Sequence, residues 1–219
     1  SRGLGDVYKR QVQDNLTMLV AFLLPATIGA VAIAEPLYTV FYGKPDSLAL
    51  GLFILAMLQT VILGLYTVLS PMIQALFQNR KAILYFGYGV LVKLILQVPF
   101  IYLFRAYGPL FSTTIGLMIP IVLMYKEIHR VTHFNRKIVF KRSLLTAILT
   151  LIMLLVVLLS VFILGFVIKP NGRVMSMIYV ALIGGVGIIV YGGLGLRLRF
   201  LDRFIGNKAA SLRNKFHIS

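Results

Sequence analysis

The chain has 219 residues, of which 59% are hydrophobic and only 13% are charged. Soluble proteins contain about 45–50% apolar and 25% charged residues, so the composition excludes an ordinary soluble domain and predicts an integral membrane protein. The absence of cysteine excludes disulfide frameworks, thiolate metal sites and thiol nucleophiles. The net charge of +16 does not indicate nucleic-acid binding, because the sequence offers no soluble domain to carry a basic face.

The first eleven residues differ in character from the rest of the chain. The chain starts SRGLGDVYKRQ, without an initiator methionine, and DVYKRQ resembles an in-frame translation of a transposase end used in preparing sequencing libraries. A native basic segment beside the membrane is the alternative, since Lys9 and Arg10 suit a cytoplasmic flank. We interpret residues 1–11 as adapter-derived, and we expect the natural sequence to begin near Val12 with its preceding part missing.

Six apolar stretches are long enough to cross a bilayer as helices, which requires about twenty residues. They comprise residues 16–34, 48–70, 82–104, 110–125, 144–168 and 175–196. The fourth stretch is the shortest, because Tyr107-Gly108-Pro109 interrupts the helix before it. Membrane strands would need only about ten alternating residues, so the sequence predicts an all-α integral membrane protein with six transmembrane helices.

The basic residues are distributed unevenly between the two ends of these spans. The loops after spans two and four and the segment after span six hold two, six and six Lys or Arg, whereas the other loops hold one, one and two. Because Lys and Arg are enriched in cytoplasmic loops, we expect the first span to start, and the C-terminus to lie, in the cytoplasm. The tail 199–219 mixes basic and apolar residues, which predicts an interfacial helix on anionic lipid.

No group of residues has the pattern of an active site. The carboxylates after residue 11 lie at span ends or in loops, and no two of them make a plausible pair. His129 and His133 have an i, i+4 spacing that can hold a metal, but without a third ligand a solvated basic loop is the better interpretation. The glycines of Gly184-Gly185-Val186-Gly187 lie in an apolar span without a preceding strand, so they indicate helix packing. We therefore predict no catalytic residue, metal or cofactor.

Lys93 is unusual because it falls near the middle of the third span. A cation at that depth costs about 2.5–3.5 kcal/mol on insertion scales, and it normally faces the bundle interior or an aqueous cavity. Gln97 lies one turn further on, so the two polar side chains share a helix face with Gly89 and Phe100. We interpret Lys93 as lining a pathway for an anionic substrate. The alternative is a buried lysine paired with a carboxylate or a helix C-terminus in the missing part.

Three stretches resemble a known family. LLPATIGAVAIAEPLYTVFYG has a span ending in small residues, followed by Pro and Phe-x-Gly; LGLYTVLSPMIQALFQNRKAILYFGYGVLVK has a Gln-containing turn, a basic pair and a helical lysine. LFRAYGPLFSTTIGLMIP resembles the family's Tyr-Gly helix start, although Pro109 stands where the family usually has another Gly. Together they resemble the C-terminal half of flippases of the multidrug/oligosaccharidyl-lipid/polysaccharide superfamily, in particular the stage V sporulation protein B group and the MurJ-like lipid II flippases.

The resemblance implies a fourteen-span, MATE-like transporter of the bacterial plasma membrane, of which this chain would hold spans nine to fourteen. Residues 12–135 would belong to the C-terminal lobe, residues 136–198 would form two extra helices with a groove for the lipid tail, and residues 199–219 would be a basic cytoplasmic tail. By the same resemblance, two lobes rock to expose a central cavity to each side of the membrane in turn. The implied function is outward flipping of an undecaprenyl-pyrophosphate-linked precursor.

The resemblance also implies where the substrate is bound. Lys93 matches the family's intramembrane basic position, with Gln97 beside it, and Gln74, Arg80 and Lys81 match the cytoplasmic turn near the cavity mouth. The partners that the resemblance implies are a lipid-linked oligosaccharide and the missing N-terminal lobe of the same chain. The placement of Lys and Arg adds anionic lipid at the cytoplasmic face.

Two alternatives to this function are compatible with the sequence. The chain could be a drug or cation exporter of the same superfamily, or a non-transporting scaffold subunit in which Lys93 is paired and inaccessible to water. An integral-membrane transferase is a weaker alternative, because the spans contain no acidic residues to hold a metal–diphosphate.

Overall fold

The computed structural model describes residues 2–167 and 172–197, and within them every regular element is helical. The α-helices are α1 (Arg2–Ala32), α2 (Ala34–Tyr42), α3 (Ser47–Ala75), α4 (Asn79–Phe104), α5 (Gly108–Thr132), α6 (Arg136–Val167) and α7 (Arg173–Arg197). Five helical stretches of the described part are long and apolar enough to cross a membrane. The predicted all-α membrane fold is thus confirmed.

One of these five stretches, Asn79–Thr132, contains both α4 and α5. A straight helix of its 54 residues would be about 81 Å long, more than twice the thickness of a hydrocarbon core of about 30 Å. Instead, a 3₁₀ turn at Arg105–Tyr107 reverses the chain, and α4 and α5 form an antiparallel hairpin. The stretch therefore supplies two spans. The turn lies where Tyr107-Gly108-Pro109 predicted a break, and the fourth span begins at Gly108 rather than at residue 110.

The helices extend beyond the predicted apolar stretches. α3 continues to Ala75 and α5 to Thr132, whereas the predictions ended at residues 70 and 125, and α6 begins at Arg136 rather than at residue 144. Apolar sequence defined the predicted limits, but helical hydrogen bonding continues through polar residues until a cap ends it. At the other end of a helix, a cap fixes the start: Asn135 is the N-cap of α6, since its side-chain oxygen accepts a hydrogen bond from the Lys137 N–H at 3.0 Å. The predicted basic loop is therefore almost entirely helical.

The first span was predicted as a single helix ending at residue 34. In the structure α1 ends at Ala32, and α2 continues the chain from Ala34 to Tyr42. Pro36 explains the break, because a proline ring clashes with the carbonyl group four residues earlier, which here belongs to Ala32. Pro36 is tolerated in the first turn of α2, where its missing N–H needs no intrahelical partner.

The chain divides into two compact units, Ser1–Leu23 with Gly51–Ser143 and Leu24–Leu50 with Leu144–Ser219. A buried apolar core supports the first unit: Val12, Leu16, Leu69, Ile73, Ala82, Met124, Ile128 and Phe134. In the second unit α2 packs on α7, and the Tyr179 hydroxyl donates to the Val161 carbonyl at 3.1 Å. The expected boundary at residue 135 falls inside the first unit, and the predicted tail 199–219 lies outside the described residues.

Candidate translocation site

Lys93 lies near the middle of α4, about 21 Å from the start of that helix at Asn79. The first side-chain carbon of Lys93 packs on Gly116 of α5, since a Cβ added at Gly116 would lie 2.8 Å from the Lys93 Cβ. The residue is half-buried. Within the described residues its ammonium group has no ion pair or hydrogen bond, and the carboxylates there that do form ion pairs, Asp14 and Glu127, lie outside the predicted apolar stretches. In this part of the chain Lys93 is therefore an unneutralised cation at mid-depth.

Glycines bring α4 and α5 unusually close around Lys93. A Cβ added at Gly89 would collide with the Gly116 carbonyl oxygen and would lie 2.8 Å from the Pro120 Cδ. Nearer the turn, a Cβ at Gly108 would lie 2.5 Å from the Phe100 backbone. These separations leave no room for a side chain, so the two backbones touch as small-residue helix interfaces do. The α4 face that carries Gly89 and Lys93 is thus packed on α5.

A second polar group, which the sequence alone did not single out, lies on the other side of α5. The Gln59 amide of α3 donates hydrogen bonds to the Leu110 carbonyl and to the Thr114 hydroxyl, both at 3.2 Å. A glutamine within an apolar span requires such partners, because an unpaired amide in an apolar environment is costly. In the sequence, the one feature that could have identified Gln59 is its position as a polar residue within the apolar second span. Gln59 and Lys93 therefore contact neighbouring turns of α5 from two different helices.

Lys81, at the start of α4, is neutralised by a carboxylate of α5. Its ammonium group donates to Glu127 Oε1 at 2.6 Å, and Arg130 Nη1 lies 3.7 Å from Glu127 Oε2. The Glu127 side chain is only 9% exposed, whereas that of Lys81 is 36% exposed. A buried carboxylate requires such pairing, so this bond fastens the open end of the α4–α5 hairpin. Of the predicted substrate-binding residues, Lys81 is the one whose charge is already matched.

The remaining predicted site residues lie at the turn between α3 and α4 or beside Lys93. Gln74 and Arg80 are exposed at the turn, and the Gln74 amide donates to the Ser70 hydroxyl at 3.3 Å. Gln97 is half-buried one turn beyond Lys93. The structure thus separates these residues into a group at the turn and a pair at mid-depth, about 18 Å apart along α4. Their roles in binding remain predictions.

The turn itself has an unusual residue. Phe77 is 92% exposed and adopts a left-handed backbone conformation, with φ of 58°. Its N–H donates to the Gln74 carbonyl, and the next N–H, of Gln78, donates to the Ile73 carbonyl. This pattern is a Schellman motif, in which glycine usually occupies the left-handed position. The exposed ring of Phe77 thus lies three residues before Arg80, whose cation is also exposed.

Of the two histidines in the predicted basic loop, His129 contributes to packing, whereas His133 is exposed. Phe134 is buried, and its ring makes edge contacts with Tyr125 and His129 at centroid distances of 5.3 and 5.1 Å. His133 ends α5 in a left-handed conformation. Among the residues that the structure describes, no three His, Cys, Asp or Glu form a group able to hold a metal ion.

These features define a multi-pass, all-α membrane protein whose described part contains an unpaired intramembrane cation. The chain is 31% identical over 204 residues to the lipid II flippase MurJ of Bacillus subtilis strain 168, a match that covers 91% of this chain and 37% of the relative. This similarity to a lipid II flippase agrees with the resemblance seen in the sequence. The chain spans little more than a third of that relative's length. No family model and no solved structure matches the sequence.

We expect Glu127→Gln to destabilise the α4–α5 hairpin. The amide keeps the size of the side chain but leaves Lys81 and Arg130 without a counter-charge. Breaking a fully buried pair costs about 3–5 kcal/mol, and because Lys81 is partly exposed we expect about 1–2 kcal/mol here. The midpoint of thermal unfolding in detergent should fall for this variant and stay unchanged for Glu35→Gln, which alters an exposed carboxylate. Equal midpoints for both variants would contradict the prediction.

Proposed function

We propose that the protein is part of a flippase that moves a lipid-linked cell-wall precursor, of the undecaprenyl-pyrophosphate class, to the outer leaflet of the bacterial plasma membrane. The observation that carries this proposal is the 31% identity to a lipid II flippase over nearly the whole chain. Flipping makes and breaks no covalent bond, so we assign transport rather than catalysis. The precursor, the alternating access of two lobes and the binding roles of individual residues all belong to the proposal.

The charge of Lys93 supports an anionic cargo. A pyrophosphate head group must cross a hydrocarbon core about 30 Å thick, and an isolated charge in that medium is strongly disfavoured. Lys93 lies at mid-depth and has no carboxylate partner within the described residues. A lysine is a compact point charge that suits phosphate groups. The cargo and the lysine would therefore offset each other's desolvation during the crossing.

The turn between α3 and α4 supports a role in the first encounter with the head group. Arg80 is exposed and has no ion pair among the residues described, whereas Lys81 is held by Glu127. A free cation at the membrane surface raises the local concentration of anionic head groups. In this proposal Arg80 and Gln74 meet the head group at the surface, Lys81 maintains the hairpin, and Lys93 with Gln97 receives the head group at mid-depth.

The proposal is tested in bacterial cells depleted of their own lipid II flippase. Expression of the full natural chain should restore growth and should return the lipid-linked precursor to the outer surface, measured by its accessibility to an externally added enzyme. A chain that inserts into the membrane in normal amounts but exposes no precursor would contradict the proposal and would favour an exporter of another substrate.

Accessibility of position 93 separates a transporter from a membrane scaffold. We expect Lys93→Cys, in a cysteine-free background of the full chain, to react with a charged, water-soluble maleimide. The matched variant Ile95→Cys should not react, because Ile95 is 70% exposed on an apolar helix surface that would face lipid. Thiolates react only where water reaches them. Protection of both positions would support the scaffold alternative.

A further inference from the structure

The basic end of the first compact unit contains a cavity of about 490 Å³ between the end of α5 and the start of α6. Its lining combines aromatic and aliphatic side chains with two cations and a hydroxyl: Tyr125, Arg136, Lys137, Val139, Phe140 and Ser143. No carboxylate is among these lining residues. A cavity with apolar walls and unmatched positive charge suits a ligand that has both an anionic group and an apolar part.

The two cations of this cavity differ from other cations of the same unit. Lys81 and Arg130 share Glu127, and Arg142 donates to Asp14 at 2.9 Å. Within the described residues, Arg136 and Lys137 have no such carboxylate.

Arg136 is instead held by an aromatic ring. Its guanidinium carbon lies 5.6 Å from the centroid of the Tyr125 ring, a cation–π arrangement. The ring fixes the guanidinium at the cavity wall without neutralising it, so its N–H donors remain suited to phosphate oxygens.

The position of the cavity along α6 matches the depth of lipid head groups. The continuous apolar sequence of α6 starts at Leu144, immediately after Ser143, and the eight preceding helical residues extend about 12 Å outward. A bilayer has about 5–7 Å of polar interface on each side of its hydrocarbon core. Arg136 and Lys137 therefore begin about 10–12 Å from the hydrocarbon border, just outside the interface, and Phe140, which is 70% exposed, lies about 6 Å from that border, at the depth of the head groups.

We propose that this cavity binds the head group of a resident anionic glycerophospholipid. Arg136 and Lys137 bind its phosphate, and Val139 and Phe140 contact the apolar parts of its glycerol backbone, next to the ester groups. An acidic peptide would leave the apolar walls uncovered, and a zwitterionic lipid would leave the positive charge unbalanced. None of the lining residues belongs to the predicted translocation residues, and the inference does not depend on transport.

The test places a tryptophan reporter in the cavity. The Phe140→Trp variant of the full natural chain is reconstituted in phosphatidylcholine bilayers that contain brominated phosphatidylglycerol or brominated phosphatidylcholine. The quenching of tryptophan fluorescence by each brominated lipid is measured for this variant, and the quenching measured for the protein without the substitution is subtracted. Basic residues near a membrane surface each contribute enough attraction to anionic lipid for about a fivefold preference. We expect phosphatidylglycerol to be preferred at least about fivefold, and Arg136→Gln with Lys137→Gln to abolish the preference.

The control variant changes the net charge by the same amount outside the cavity. Lys126→Gln with Lys141→Gln removes two exposed cations that do not line it, and this pair should keep the preference. Equal losses in both double variants would show diffuse surface attraction and would overturn the site. Equal quenching by the two lipids in the parent protein would also overturn it. The site would also be overturned if only added undecaprenyl pyrophosphate relieved the quenching, since the occupant would then be the cargo.

Discussion

Lys93→Met is expected to abolish most transport while leaving the protein inserted and folded. Methionine has a similar length and removes the only charge at mid-depth in α4. Charge-assisted hydrogen bonds contribute about 1.5–3 kcal/mol each, so the loss of one in the crossing state should slow transport by about ten- to a hundredfold. The measurement is the rate of precursor exposure in depleted cells, normalised to the amount of protein in the membrane.

The amount of inserted protein separates a functional from a structural role of Lys93. An unpaired cation at the bilayer centre costs about 2.5–3.5 kcal/mol on insertion scales, so its removal should leave membrane abundance equal or higher. If Lys93 instead pairs with a carboxylate elsewhere in the full protein, the same change would lower abundance and thermal stability together. Lys126→Met is the matched control, because Lys126 is exposed at the far end of α5. Unchanged transport by Lys93→Met would exclude the proposed role.

Gly89→Ala is expected to disrupt the α4–α5 hairpin. The new methyl group would meet the Gly116 carbonyl oxygen and the rigid ring of Pro120, and neither can move without shifting the α5 backbone. Overpacking of this kind costs about 1–3 kcal/mol, which exceeds the gain of up to about 1 kcal/mol that alanine normally brings to a helix. The thermal midpoint in detergent should therefore fall, and Lys93 should lose its position against Gly116.

Gly87→Ala provides the matched control on the same helix. An added Cβ at Gly87 has no atom within 4 Å, so the substitution should be neutral or slightly stabilising. A fall of similar size for both variants would show that helix α4 is sensitive to any added methyl group, and it would contradict a specific close approach at Gly89.

The arrangement of Lys81, Glu127 and Arg130 limits how the candidate site can work. Because Lys81 is paired with Glu127, Arg80 and Lys93 are the two predicted substrate-binding cations that have no ion pair within the described residues. They are separated by the helical rise of 13 residues, about 20 Å. The glycine contact between α4 and α5 makes this hairpin a rigid support for both. A rigid hairpin suits the proposed rocking motion, in which the lobes move as bodies.

The sequence by itself determined the membrane class, the helical fold and the unusual depth of Lys93. These features follow from the composition of single stretches, because in hydrocarbon every backbone polar group must be satisfied within its own helix. Length and apolarity therefore predict a span without knowledge of its neighbours. The helix ends were less predictable, since Pro36 and Asn135 fix them through local contacts that hydropathy does not measure.

Only the tertiary structure decided which residues meet. The Lys81–Glu127 bond joins residues 46 positions apart, and Gln59 reaches Thr114 over 55 positions. The approach of Gly89 to Gly116 likewise depends on the antiparallel register of two helices. Charge, polarity and size are properties that each residue carries in the sequence, whereas a partner is selected by the way helices are packed. This is why Lys93 could be identified in the sequence, while the neutralised state of Lys81 could not.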